Sequence, residues 1–201
     1  NRSLNCTVAV KILKMDREEG LSDDQQQMLE QLRREAQLLA RFNHPNLVRV
    51  HDLEEDVPFP FLVLEYVDGL TLSDMLSHVG RLRLDCCIKI MTAVCEGLSS
   101  AQRKIGLVHR DVKPANIIVD SSGAYWLIDF GLARHLELES LTATAAPGGC
   151  GTLGYAPAEQ CRNDKPDIDA RADLFALGVT LFEAATGTNP HREGARDAFE
   201  V

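Results

Sequence analysis

The chain has 201 residues, 45% hydrophobic and 25% charged, a composition that suits a globular protein with a sizeable core in one large domain or two lobes. Local basic sites aside, a formal net charge of −9 argues against nucleic acid or an anionic membrane as the main partner, because phosphate-rich partners require a basic surface. No apolar run approaches the ~20 residues that span a bilayer, and NRSLNCTVAV lacks the long apolar stretch of a signal peptide, so a cytoplasmic location is expected for this stretch, with a membrane anchor elsewhere in the parent chain as the alternative.

In chain order, TVAVKIL alternates Val8, Val10 and Ile12 against Ala9, Lys11 and Leu13, which predicts a strand with Lys11 among apolar neighbours. Taken alone, a strand lysine is usually a snorkelling or edge residue; a functional role needs a partner. Ser22 and Gln25 resemble a capping box, and DQQQMLEQLRREAQLLARF carries helical spacing through Met28, Leu32, Leu39 and Phe42. Glu35 sits three residues after Leu32 and four before Leu39, so it projects from the apolar stripe, where an unpaired carboxylate is costly. Lys11 is its natural counter-charge, and a solvated stripe edge is the plain alternative.

PFPFLVLEYVDG predicts a buried strand that ends in a linker at 65–69. LRLDCCIKIMTAVCEGL predicts a helix with Leu84, Ile88, Met91, Val94 and Leu98 in the core. Residues 109–116, HRDVKPAN, crowd polar groups ahead of an apolar strand, and Pro114 blocks helix continuation, so they read as a loop suited to function. IIVDSSGAYWLID predicts a hairpin turning at Ser122 and Gly123, which pairs Val119 with Trp126, Ile117 with Ile128 and Asn116 with Asp129. An amide and a carboxylate then converge beside Asp111, hard oxygen ligands suited to Mg2+; capping or turn duty for Asn116 is the alternative.

Residues 132–160, with Gly148, Gly149, Gly151 and Gly154, read as one long loop. ADLFALGVTLFEAATG is apolar almost all round, as expected of a helix buried in a core. The six cysteines, at 6, 86, 87, 95, 150 and 161, lack C-x-x-C spacing and read as buried free thiols, with Cys150 in PGGCGT the exposed exception.

Taken together, VAVK at 8–11, Glu35, HRDVKPAN at 109–116 and DFG at 129–131 resemble, in order, the motif set of the protein kinase family. The resemblance implies an α+β bilobal fold, with 1–66 a partial small β-rich lobe and 67–201 a partial, mainly helical lobe. It implies ATP as donor and Mg2+ as cofactor, with Mn2+ as a substitute. Lys11, held by Glu35, would pair with the α and β phosphates; Asp129 and Asn116 would hold the metal; Asp111 would accept the substrate hydroxyl's proton; Lys113 would steady the γ phosphate. Glu65 and Val67 would present the adenine-binding backbone, with Leu64 as gatekeeper and Ala9 and Ile118 as apolar walls. D-V-K-P-A-N, and Thr152 in GTLGY, resemble the serine/threonine-specific form, so the expected partners are proteins with Ser or Thr hydroxyls. Thr142 or Thr144 would be autophosphorylated beside Arg110.

The chain departs from the family pattern at YAPAE, 155–159, where the Pro stands one place early, and at Leu153 in place of Pro; Glu159 keeps the anchoring position. The family also implies a Gly-rich strand pair before Asn1 and helices after Val201, so these residues alone are expected to bind ATP weakly. A noncatalytic pseudokinase or docking module is the second hypothesis, and the presence of Lys11, Asp111, Asn116 and Asp129 weighs against it.

Overall fold

The computed structural model describes residues 6–12, 23–55, 60–130, 154–162 and 168–191, with the side chains of 24, 25 and 28 excepted. Its fold is α+β: a small sheet lobe with one helix, and a larger, mainly helical part. The first sheet runs in the order β1-β3-β2, from β1 (Val8–Ile12), β2 (Val50–Glu54) and β3 (Phe61–Glu65), all antiparallel. On β1 the alternation is kept: Val10 and Ile12 face outward, 53% and 61% exposed, while Lys11 lies opposite the buried Leu62 of β3. β2 escaped the sequence reading because VHDLE is mostly polar and a bulge between Val50 and Asp52 breaks its alternation.

α1 (Asp23–Ala40) begins where expected and packs along β2, burying Leu29, Leu32, Ala36 and Leu39, with Phe42 buried just beyond. The predicted Ser22 cap and the side chains of Gln25 and Met28 lie outside what is described.

The second sheet, β4 (Gly69–Thr71), β5 (Ile117–Asp120) and β6 (Tyr125–Leu127), is ordered β4-β5-β6. Gly69 is required there, since a Cβ would stand 2.4 Å from the Val119 carbonyl. The β5–β6 register differs from the expected one by a residue: Ile117 pairs with Leu127, Ile118 with Trp126 and Val119 with Tyr125. The cause is Asp120. Its Oδ1 accepts from the Ser122 and Ala124 amides at 2.9 Å and from the Ser122 hydroxyl, and its Oδ2 accepts from Trp126 Nε1 at 2.8 Å. Those bonds close a three-residue loop with Gly123 at φ 83°, and they hold the Asp120 carboxyl down at about 2.

α2 (Leu72–Val79), short and unpredicted, starts with a capping box between Thr71 and Asp74. α3 (Leu84–Ile105) corrects the expected core stripe: Leu84 and Ile88 are 62% and 55% exposed, and Cys87, Ile90, Met91, Val94, Leu98 and Ala101 are buried. Apolar residues occupy both stripes. Gly97 favours the buried one, because a Cβ there would meet Leu47 Cδ2 at 2.8 Å, an approach that only glycine permits.

α4 (Ala158–Cys161) is a single turn inside the stretch read as loop. α5 (Ala170–Thr186) is apolar all round but is not buried all round. Ala172, Ala176, Thr180 and Ala184 lie on its buried side, whereas Leu174, Phe175 and Phe182 are exposed. Small residues at four-residue spacing let α3 approach closely, and the bulky ones point away. The cysteine reading is corrected too: Cys87 is buried and Cys86 and Cys95 half-buried, all free, but Cys6 is exposed and Cys161 is exposed and disulfide-bonded. Among the described residues no helix is long and apolar enough to cross a membrane.

Candidate active site

The loop between α3 and β5 is built around His109, which is fully buried. Its Nδ1 accepts from the Asp111 amide at 3.2 Å, which leaves Nε2 as the protonated nitrogen, donating to the Ile128 carbonyl at 3.1 Å. Burial pushes its pKa down, so the ring is neutral, and it packs 4.7 Å from the Phe130 ring. Asp173 in the first turn of α5 supports the same backbone: Oδ2 accepts from the His109 amide at 2.8 Å and Oδ1 from the Arg110 amide at 2.7 Å. Burial raises the Asp173 carboxyl, opposed by His109 and by those two amides. Arg110 and Asp129 adopt left-handed backbone at φ 66° and 62°, conformations that non-glycine residues keep only where the surroundings impose them.

Asp111 is the focus of the loop. Asn116 Nδ2 donates to both its Oδ2 and its backbone carbonyl at 2.8 Å, and Lys113 Nζ pairs with the same Oδ2 at 2.7 Å. Both charged side chains are largely covered, at 17% and 18% exposure. Because the Asn116 amide nitrogen is committed to Asp111, Oδ1 is the atom it can offer a cation. That oxygen and the Asp129 carboxylate form a hard donor set of the kind Mg2+ takes alongside waters and phosphates, so the residues fit the metal.

The expected Lys11–Glu35 pair is not formed. Lys11 Nζ lies 2.5 Å from Asp129 Oδ1, while Glu35 accepts from Gln31 one turn earlier at 3.1 Å. α1 is drawn toward β2 by Arg33, whose Nε donates to both carboxylate oxygens of Glu55 and whose Nη2 also bonds it. Glu35 faces away from Arg33 on the helix, so Asp129 supplies the carboxylate at Lys11. The changed hairpin register has a matching effect: the Asn116 carbonyl receives the Ile128 amide at 2.8 Å, and the Asn116 and Asp129 side chains turn to different partners, Asp111 and Lys11.

Ala9 and Leu64 are register partners on adjacent strands, half-buried, and Ile118 on β5 is half-buried as well. Glu65 turns its side chain back to accept from the Arg49 amide at 3.3 Å, and half-buried Val67 follows in the connector. Thr142, Thr144 and Thr152 lie outside the described residues, as do Gly131 and Cys150. Glu159 is half-buried in the first turn of α4, whose N-cap is the displaced Pro157.

Three contacts here escaped the sequence reading. Asp173 left a signal, a lone carboxylate in the first turn of an apolar helix. Gln160, which donates to the Arg110 carbonyl at 2.7 Å, left none. Neither did the buried Tyr155, whose hydroxyl bonds Glu183 on α5.

Comparison with known proteins gives a consistent picture. A family model described as "Protein kinase domain" matches residues 1–200. The chain is 41% identical over 192 residues to serine/threonine-protein kinase PknB of Mycobacterium leprae, covering 93% of the chain and 29% of that protein. It is 37% identical over 196 residues to a probable serine/threonine-protein kinase PknB of Bifidobacterium longum, covering 93% and 27%. The chain thus spans under a third of the length of these relatives. The crystal structure of the Mycobacterium tuberculosis PknI kinase domain superposes with a TM-score of 0.69 at 27% identity, covering 91% of this chain and 65% of that one. Rad53 1-466 in complex with AMP-PNP gives 0.67 at 27% identity, covering 91% and 42%.

Proposed function

Because the chain belongs to the protein kinase family, we propose that it is the catalytic core of a serine/threonine protein kinase, transferring the γ-phosphoryl group of ATP to Ser or Thr hydroxyls of proteins. The observation that carries this reading is the Asp111 carboxylate, held at one oxygen by both Asn116 and Lys113, so that its other oxygen can take a hydroxyl proton. Lys113 then sits where it can steady negative charge on the transferring group, and Lys11 where it can pair with the remaining phosphates once it leaves Asp129. Asn116 Oδ1 and Asp129 would hold Mg2+, which when bound supplies neutralising charge to the phosphates. In this reading residues 1–66 and 67–201 form the two lobes, and Ala9, Leu64, Glu65, Val67 and Ile118 bracket the adenine. Thr142 or Thr144 carries an activating phosphate. In this reading the domain works on the cytoplasmic side, where ATP is supplied, whether or not the parent chain is anchored in a membrane outside this region, on a signalling path whose end is a phosphorylated protein.

The test is phosphate transfer by the full-length protein carrying this domain, with Mg2+, ATP and a generic Ser/Thr-containing substrate. Asp111→Asn is expected to lower kcat by about 10²–10⁴-fold while leaving ATP affinity near the parent's. Near-parent turnover in that variant would remove Asp111 from the mechanism. Tight ATP binding with no transfer by the parent would instead favour a noncatalytic docking module.

A further inference from the structure

We propose that Gln160 is a positioning residue for Asp111: its side-chain amide fixes the Arg110–Asp111 peptide and couples the seating of α4 to the catalytic loop. The inference rests on the kinase reading for its effect on turnover, but the contact itself does not.

The peptide unit joining Arg110 to Asp111 is held at both of its polar atoms. Its carbonyl accepts from Gln160 Nε2 at 2.7 Å, and its N–H donates to His109 Nδ1 at 3.2 Å. A peptide plane anchored at both ends cannot swing, and the Asp111 Cα is attached to it. The preceding residue needs such restraint, since Arg110 is a non-glycine residue at φ 66°. Asp173 Oδ1 holds the Arg110 amide on the other side at 2.7 Å, so Gln160 and Asp173 act on successive peptides of one strained turn.

Two of these anchors come from within the loop and from α5, whereas Gln160 comes from a different segment, 50 residues along the chain from Arg110. α4 is a single turn with no side-chain cap, and just before it Tyr155 is fastened to Glu183 of α5. The stretch from Tyr155 to Gln160 therefore bridges α5 and the catalytic loop, and displacing α4 withdraws the donor from the Arg110 carbonyl. A bare carbonyl can be held only by a donor, which gives the test its chemistry: a glutamate side chain of equal length can replace the amide only when it carries a proton.

The experiment compares the full-length protein with its Gln160→Glu and Gln160→Leu variants, measuring kcat and KM for ATP from about pH 8 to about pH 4.5, close to the ordinary glutamate pKa of about 4.3. Among the described residues, the charged and titratable groups around the contact include Arg110, Asp111, His109, Asp173 and Glu159, common to all three proteins, so each variant is read as a ratio to the parent. At the upper pH both variants are expected to lose about tenfold in kcat with KM for ATP within about twofold. Toward the lower pH the Gln160→Glu deficit should shrink at least threefold, as the introduced carboxyl protonates and donates to the Arg110 carbonyl. The Gln160→Leu deficit should stay constant. Parent-like kcat in Gln160→Leu, or the same pH course in both variants, would overturn the proposal. A second arm reads amide hydrogen exchange at Asp111 and Val112, expected to quicken in Gln160→Leu. If the parent transfers no phosphate, the kinase reading fails and the exchange arm alone decides the Gln160 contact, with unchanged exchange counting against it.

Discussion

The loop around Asp111 and the strand and helix that carry Lys11 and Glu35 are held in different ways. The loop is fastened by buried groups: His109 bonds on both ring nitrogens, Asp173 on both oxygens, Asn116 twice through one nitrogen. Among the described residues, Lys11 makes one side-chain ion pair and Glu35 one side-chain hydrogen bond, and the outer face of β1 is open at Val10 and Ile12. The Asp111 loop is thus fixed within the helical part, while the contacts of Lys11 and Glu35 rest on where α1 lies over β2. Buried polar groups are costly to strand, so the loop has one arrangement; half-exposed ones can exchange partners at small cost.

The sharpest way to break this contrast is Asp173→Ala. It strands the His109 and Arg110 amides, and at about 1–3 kcal/mol for each unsatisfied buried group it should cost roughly 2–6 kcal/mol in urea unfolding of the full domain. A loss under about 1 kcal/mol would show that the loop does not depend on α5. Next comes Glu35→Gln, which tests the mobile side. If α1 moves to bring Glu35 to Lys11 during turnover, kcat/KM should fall about tenfold while unfolding stability stays within about 0.5 kcal/mol, since the Glu35 bond seen among the described residues is to exposed Gln31. Unchanged kinetics would mean that Asp129 remains the partner of Lys11 throughout.

A smaller, graded effect concerns pH. Burial depresses the His109 pKa from its ordinary 6.5, so the unfolded chain takes up a proton that the folded one refuses. Stability from this group is therefore present above about pH 6.5 and declines as pH falls below it, with a slope of at most about 1.4 kcal/mol per pH unit. Unfolding midpoints from pH 7.5 to 5.5 should slope less in His109→Gln, a comparison that also subtracts the opposing contribution of Asp173. Equal slopes would mean that His109 takes up its proton as readily in the fold as in the unfolded chain.

Much of this arrangement was legible in the sequence because it is local. Strict alternation exposed β1, helical spacing with a clean polar face exposed α1, and Pro114 marked the loop. Where two apolar stripes compete, as at Ile88 and Met91 on α3, periodicity alone could not choose, because the deciding contact is Leu47 against Gly97 from elsewhere in the chain. The hairpin register turned on a side chain, Asp120, spending its carboxylate on turn amides. Lys11, Asp111, Asn116 and Asp129 could each be named from motifs, but not the partner each takes. For Asn116 the partner depends on the hairpin register, and for Lys11 on where Arg33 and Glu55 hold α1.

The Asp120-closed turn also bears on the order in which the site can assemble. Its bond to Trp126 closes six residues of chain, whereas the Lys11 bond to Asp129 closes 118, a difference of roughly 2–3 kcal/mol in loop-closure entropy. The hairpin that leads from Asn116 to Asp129 is therefore cheap to form from nearby chain. The contact that brings in Lys11 must wait for distant segments to meet. During partial opening the entropy runs the other way, and it releases the lysine first while the acidic half of the site stays assembled.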